Sequence, residues 1–216
     1  KHSLPISASF TLFKYLNMNI SMNNNLKWYF QRIDQRWEGD VDGAVARDTT
    51  YGFYNIYQAN VSVGFQTQLF GFYTLKSKSG KRMPIFRHKL VPSVSFSYTP
   101  DFGHERWGYW GSYERPASDG TTQTVYYDRY ASGVYGGSPA RGRAAAISFS
   151  VSNNLEMKYW GAKDTTDTGK KVTIIDNFSF GTSYNFVADS LNWSNVNANL
   201  RLKFFDKFSL NLDMEF

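Results

Sequence analysis

Eight stretches of this chain alternate apolar and polar residues, and the longer ones keep it up for fifteen residues or more. Residues 145–159 read AAISFSVSNNLEMKY. Ile147, Phe149, Val151, Leu155, Met157 and Tyr159 stand on one parity; Ser148, Ser150, Ser152, Asn154, Glu156 and Lys158 stand on the other. Such a pattern specifies a strand with one apolar and one polar face. At about 3.3 Å per residue this stretch spans about 45–50 Å. The other segments are 3–13, 16–36, 53–70, 85–99, 171–187, 193–205 and 208–216. No helical stretch competes with them.

The polar parity is rich in Ser, Asn and Gln. Gln58, Asn60, Ser62, Gln66 and Gln68 define it in the third segment, and Ser148, Ser150, Ser152 and Asn154 in the fifth. Asn177, Ser179, Ser183 and Asn185 continue it in the sixth, and Asn197 and Asn199 in the seventh. The apolar parity carries Ile147, Phe149 and Val151, then Val172, Ile174, Phe178 and Phe180, then Leu200 and Leu202. A soluble sandwich must pair two sheets to keep such faces dry, and strands are usually three to ten residues long. A membrane barrel needs nine to eleven residues or more per strand. The expected fold is therefore all-β: an antiparallel transmembrane β-barrel section of about eight strands. The apolar parity, with Ile147, Phe149, Val151, Phe178, Phe180, Leu200 and Leu202, is expected to face lipid, and the polar parity a wet lumen. An eight-stranded barrel fills its interior with side chains, and the inward groups here are small. Eight strands are thus expected to be part of a larger barrel.

Aromatic residues gather near segment ends: Phe13 and Tyr15; Trp28, Tyr29 and Phe30; Phe70, Phe72 and Tyr73; Tyr159 and Trp160; Trp193; Phe204 and Phe205. Girdles at two membrane interfaces produce this pattern. Connections at 38–52 and 100–143 are expected outside, with turns near 14, 71–84, 161–170 and 206 on the periplasmic side. The loop at 100–143 holds Trp107, Tyr109, Trp110, Tyr113, Tyr126, Tyr127, Tyr130 and Tyr135. Disordered segments are poor in such residues, so an external cap is expected, its rings held by Arg106, Arg115 and Arg129.

Composition trims the alternatives. No apolar run approaches the length of a membrane helix. Cysteine is absent, so no disulfide forms within the 216 residues. The net charge of +6 suits nucleic acid, an anionic glycolipid or merely a solvated surface; no nucleic-acid partner is expected. The histidines are His2, His88 and His104. DFGHE (101–105) places a histidine beside carboxylates, as a rim protease would require, but no further pattern supports it. GGSPARGRAAA enters a strand and not a helix, so it is no phosphate cradle. No catalytic residue, metal site or cofactor is expected. Lys76, Lys78, Lys81, Arg82, Arg87 and Lys89 form a basic run that fits a solvated turn or the phosphates of a glycolipid. On the residues alone the candidate functions are a passive diffusion porin, an outer-membrane receptor or adhesin barrel, and a soluble β-sandwich binding module.

Several stretches resemble the Bacteroidetes-type form of the lipopolysaccharide-assembly family LptD. They are HSLPISASF (2–10), NVSVGFQTQLFGFY (60–73), FRHKLVPSVSFSYTPDF (86–102), GGSPARGRAAAISFSVSNNLEMK (136–158) and KKVTIIDNFSFGTSYNFVADSLNWSN (170–195). RHKLVP followed by an alternating strand and YTP is the most specific. The resemblance implies a very large barrel in the bacterial outer membrane that inserts lipopolysaccharide into the outer leaflet. It implies an LptE-type lipoprotein plugging the lumen. It also implies a periplasmic lipopolysaccharide bridge protein, met through a jellyroll domain that these residues do not contain. Residues 1–216 are accordingly expected to be one partial barrel domain, an interior section that begins and ends within strands.

Overall fold

The structure, a computed structural model, describes residues 1–75, 83–161, 169–204 and 208–216. The strands are β1 His2–Leu12, β2 Leu16–Glu38, β3 Ala44–Thr67, β4 Leu69–Thr74, β5 Ile85–Thr99, β6 Trp110–Pro116, β7 Thr122–Asp128, β8 Ala144–Tyr159, β9 Lys170–Asn185, β10 Asn197–Phe204 and β11 Phe208–Glu215. A 3-10 turn covers Glu105–Trp107. No α-helix occurs among the described residues, and so no helix there can cross a membrane.

The strands form one antiparallel sheet in the order β1-β2-β3-β5-β8-β9-β10-β11, with β4 pairing β5. β1 and β11 end this order, so the described sheet is open. Only neighbours in sequence, or nearly so, are paired. That follows from long alternating segments joined by tight turns. The first turn is Leu12–Tyr15, closed by the Tyr15 N–H donating to the Leu12 carbonyl at 3.2 Å. Phe13 and Lys14 both have positive φ, 50° and 68°. That pairing of left-handed residues matches the right-handed twist of the two flanking strands.

Two expectations about connections fail. Residues 38–52 are not a long loop, because β3 begins at Ala44 and only a short turn separates it from β2. Gly39 adopts φ 103°, the Gly43 N–H donates to the Asp40 carbonyl at 2.9 Å, and Trp37 Nε1 donates to the same carbonyl at 3.0 Å. Residues 47–53 are exposed throughout. A ribbon wetted on both faces needs no alternation, so the sequence there carries no period. The long connection at 100–143 contains a hairpin of its own, β6 with β7, in register from Trp110↔Asp128 to Pro116↔Thr122. Residues 71–74, expected in a turn at 71–84, belong instead to β4; residues 76–82, 162–168 and 205–207 lie outside the described residues, and with them most of the turns expected at 71–84 and 161–170, the one expected near 206, and Lys76, Lys78, Lys81, Arg82 and Phe205.

The chain forms two compact units. One comprises residues 1–7, 21–61 and 98–144; the other comprises 8–20, 62–97 and 145–216. The first has a buried cluster of Tyr29, Ile56, Ala59, Phe102, Tyr109 and Tyr130. Tyr29 therefore belongs to a core and not to an interfacial girdle. Ile56 and Ala59 differ in parity yet share this cluster, so the alternation of β3 is broken between them. At that break the Tyr57 N–H donates to the Tyr109 hydroxyl at 2.8 Å. The second unit is mostly sheet, and Ala198 is its one buried hydrophobic side chain among the described residues.

Candidate functional site

In the second unit the register sorts side chains into two faces. Ser152, Ser179, Asn199 and Asp213 are paired in turn across β8, β9, β10 and β11. Ser150, Gly181, Asn197 and Glu215 form the next such row, and Ser148 lies opposite Ser183. Ser150, Ser152, Ser179, Asn197, Asn199 and Asp213 of these rows line a groove of about 380 Å³. Small polar groups satisfy one another along it: Asn199 Nδ2 donates to Asp213 at 2.6 Å, Ser93 and Ser150 share a 2.6 Å bond, and Asn177 donates to the Ser179 hydroxyl at 3.2 Å. Asn185 accepts from the Val187 N–H at 2.9 Å. In the first unit, Asn60 donates to Thr99 Oγ1 at 2.9 Å.

The remaining polar positions of β3 are less regular. Gln58 is half-buried beside the break at Tyr57, Ser62 is half-buried, Gln66 is exposed, and Gln68 occupies the interruption between β3 and β4.

The opposite face carries Val151, Phe180, Ala198 and Met214 in one row, and Phe178, Leu200 and Leu212 in the next. Ile147 lies opposite Tyr184, Phe149 opposite Thr182, and Leu202 opposite Ile175. β9 carries extra residues here: Asn153 pairs with Phe178, but Leu155 pairs with Ile175 and Glu156 with Thr173. This is bulge geometry, and it puts Ile175 into the apolar row where strict alternation expects Ile174. Asn154 caps the bulge, its Nδ2 donating to the carbonyls of Ile175 and Asp176 at 3.1 and 2.9 Å. Asp176 there pairs with Arg201 at 3.2 Å. The apolar face is bare: Phe149 is 38% exposed and Phe180 41%. One polar pair interrupts it. His88, in β5, meets Asn153 Oδ1 at 3.1 Å, and Asn153 donates to the Phe178 carbonyl at 3.0 Å.

The aromatic loop of the first unit is packed. Phe102 is 1% exposed and sits edge-on to Tyr57, with Trp107 5.1 Å away. Tyr130 lies between Tyr29 and Tyr54, at 5.2 and 5.9 Å. Burial first, then the charge of Tyr54, pushes its phenol up to about 12, against the opposing pull of Arg32. Burial likewise raises Tyr109. Tyr113 stacks on Trp37 at 6.4 Å, and the Tyr127 hydroxyl accepts the Gln35 N–H at 2.8 Å. Trp107 and Trp110 donate their indole N–H to the carbonyls of Asp101 and Pro139. Tyr135 is more exposed and stands edge-on to Tyr29, whose hydroxyl donates to the Gly136 carbonyl.

The expected cations are only partly the right ones. Arg106 does lie over Trp107, at 5.1 Å. Arg115 instead donates to Gln123, and Arg129 binds Asp34 and the Gly108 carbonyl. Arg141 lies over Tyr126, 3.5 Å from the ring centre.

Two aspartates fasten this loop, and the alternation pattern gave no sign of them. Asp101 Oδ1 accepts the N–H groups of Gly103 and Gly142, both at 2.8 Å, and so ties the start of the loop to its end. The Gly142 bond holds its carboxyl below the usual range. Asp128 accepts from the Tyr130 and Ser138 N–H groups and from the Ser138 hydroxyl at 2.6 Å. An Asp in an Asx turn was the legible signal. With Asp101 so engaged and His104 Nδ1 accepting the Arg106 N–H at 3.2 Å, DFGHE forms a turn cap in place of a water-activating pair. No cluster able to hold a metal occurs among the described residues.

The family model described as LptD protein matches residues 1–216. No curated protein and no solved structure matches. A match over the whole length, on a sheet whose faces segregate in this way, places the molecule: the chain belongs to the LptD protein family.

Proposed function

We propose that this chain is a section of the wall of an outer-membrane β-barrel that carries lipopolysaccharide to the outer leaflet. The observation that supports this best is the bare apolar face opposite the Ser/Asn rows. Exposed apolar patches of this extent mark an apolar surrounding or a partner, and the described residues of this unit supply no second sheet of their own to cover it. Lipid against Ile147, Phe149, Val151, Phe178, Phe180, Leu200 and Leu202 makes the arrangement stable. Water and sugar then meet the rows of Ser148, Ser150, Ser152, Ser179 and Asn199. Uncharged hydroxyls and amides exchange hydrogen bonds with sugar hydroxyls without holding them, because each bond formed replaces one to water and the net gain is small.

The packed loop of Trp107, Tyr109, Trp110 and Tyr130 suits a cap over the outer mouth, which a translocator needs and a passive porin does not. In this reading an LptE-type lipoprotein fills the lumen, and a periplasmic bridge protein delivers the glycolipid through a domain beyond these residues. The chain performs no covalent chemistry. Spin labels at Phe149, Phe180 and Leu200 of the full-length protein in bilayers should be relaxed by lipid-soluble oxygen, and labels at Ser148, Ser150 and Ser179 by a water-soluble relaxant. The reverse pattern, or equal access of the water-soluble relaxant to both sets, refutes the assignment.

A further inference from the structure

The connection between β9 and β10 presents a leucine at a costly position. Leu191 is 95% exposed and its φ is 52°. A left-handed backbone crowds the Cβ of an L residue, so glycine or asparagine is the favourable choice there. Leucine gains nothing from that backbone, and nothing from burial within the protein.

The turn that holds Leu191 is firmly bonded. The Asn185 N–H donates to the Asn192 carbonyl at 2.8 Å, and Asn192 Nδ2 donates to the carbonyls of Asn185 and Ala188 at 2.8 and 2.7 Å. The Phe186 N–H donates to the Ala145 carbonyl at 2.9 Å, which ties the turn to the end of the sheet where β8 begins. Tyr184 bridges Trp193. Continuing that ladder outward pairs Asn185 with Asn192 and puts Leu191 at the register position opposite Phe186. Rings surround this position. Trp193 lies 6.3 Å from Phe149 and 5.1 Å from Tyr184, and Phe186 lies 5.1 Å from Tyr184 and 6.1 Å from Phe96. Phe149 belongs to the bare apolar face, so the turn extends that face past the end of the strands. Trp and Tyr have an apolar body and a polar tip, which suits a boundary between hydrocarbon and water.

We propose that the turn 186–193 is a lipid-inserting finger, with Leu191 entering the acyl region of the bilayer beside the rings of Phe186 and Trp193. The proposal rests on the barrel reading, because it takes the apolar face as covered by lipid. Continuity with that face selects lipid as the occupant. Burial of the leucine in hydrocarbon offsets the strain of its backbone, and the Asn185–Asn192 bonds keep the side chain from folding back. The finger is shallow. Asp189 and Ser190 are exposed beside Leu191, and a carboxylate resists leaving water, so Asp189 stays among the headgroups and Leu191 reaches only the nearest methylenes.

The test uses the full-length protein in nanodiscs of dioleoyl phosphatidylcholine, with an environment-sensitive fluorophore attached through Leu191→Cys, Phe180→Cys or Ser118→Cys. Lipid spin-labelled near its headgroup should quench the fluorophore at position 191 more than lipid labelled near its chain end, and aqueous iodide should quench it little. Position 118, in the exposed turn between β6 and β7, should respond mainly to iodide. Iodide quenching at 191 equal to that at 118 overturns the finger. Leu191→Gly then gives a change whose sign decides. In water the glycine relieves strain and slows amide exchange at Asn185; in lipid it removes the anchor and speeds that exchange about fivefold. Leu191→Met, apolar and of similar volume, should keep the wild-type rate. Slower or unchanged exchange in Leu191→Gly overturns the proposal. Lipid contact at Phe180 with water at 191 overturns the finger and leaves the barrel reading standing, whereas water at both positions refutes the reading and the finger with it.

Discussion

The two compact units solve the same problem in opposite ways. In residues 1–7, 21–61 and 98–144, aromatic side chains from β2, β3 and the long loop bury one another around Phe102 and Tyr130. In residues 8–20, 62–97 and 145–216, the sheet leaves rings such as Phe149 and Phe180 bare. The first unit provides its own interior; the second relies on its surroundings to be one. One sheet can therefore look unfinished by the standards of a soluble domain while a few residues along the same strands look finished.

The contrast makes its boldest claim at Phe102. Phe102→Ala should cost the first unit about 3–5 kcal/mol, as buried aromatic truncations do. Protease cleavage within 100–143 and amide exchange at Gly142 report it. Phe180→Ala should leave both signals unchanged. A comparable loss from Phe180→Ala breaks the comparison. Next comes Phe180→Arg, expected to cost about 2–4 kcal/mol near a bilayer midplane. Urea-dependent folding into vesicles measures this cost, and a cost near zero shows that the face meets water. A smaller effect belongs to Tyr109→Phe. It leaves the Tyr57 N–H without its acceptor, for about 1–3 kcal/mol, visible as faster exchange of that amide.

The smallest effect is the acid response of Asp101. Its folded carboxyl is held below its unfolded value, so the bonds to Gly103 and Gly142 contribute fully above about pH 4 and fade as pH falls through the depressed value. Amide exchange at Gly142 should accelerate only in that acid range, and Asp101→Asn should remove the pH dependence.

Much of the second unit was legible because each strand there has one apolar and one polar face. The rows through Ser152 and Phe180 follow directly from the period of two. What escaped did so where that period has no cause. Residues 44–52 pair as a strand, but with both faces wet they keep no alternation. β9 inserts residues around Asp176, and this moves Ile175 into the row assigned to Ile174. Phe70 and Phe72 read as girdle residues, yet they pair with Lys89 and Arg87; aromatic content says nothing about which face a ring occupies. In the first unit the loop rings were legible as a group. Their partners Tyr29 and Ile56, and the fastening aspartates, depend on contacts far apart in sequence.

Gly181 sits within the polar rows between Ser150 and Asn197. A methyl group placed there would lie 3.0 Å from the Phe149 carbonyl oxygen and 3.3 Å from the Ser150 Cβ. Because the nearer of these is backbone, no rotamer change relieves it, and β8 and β9 would have to part by a few tenths of an ångström. Room for a side chain in this sheet is therefore uneven at single-residue scale. Position 181 is one where any side chain displaces the neighbouring backbone of β8.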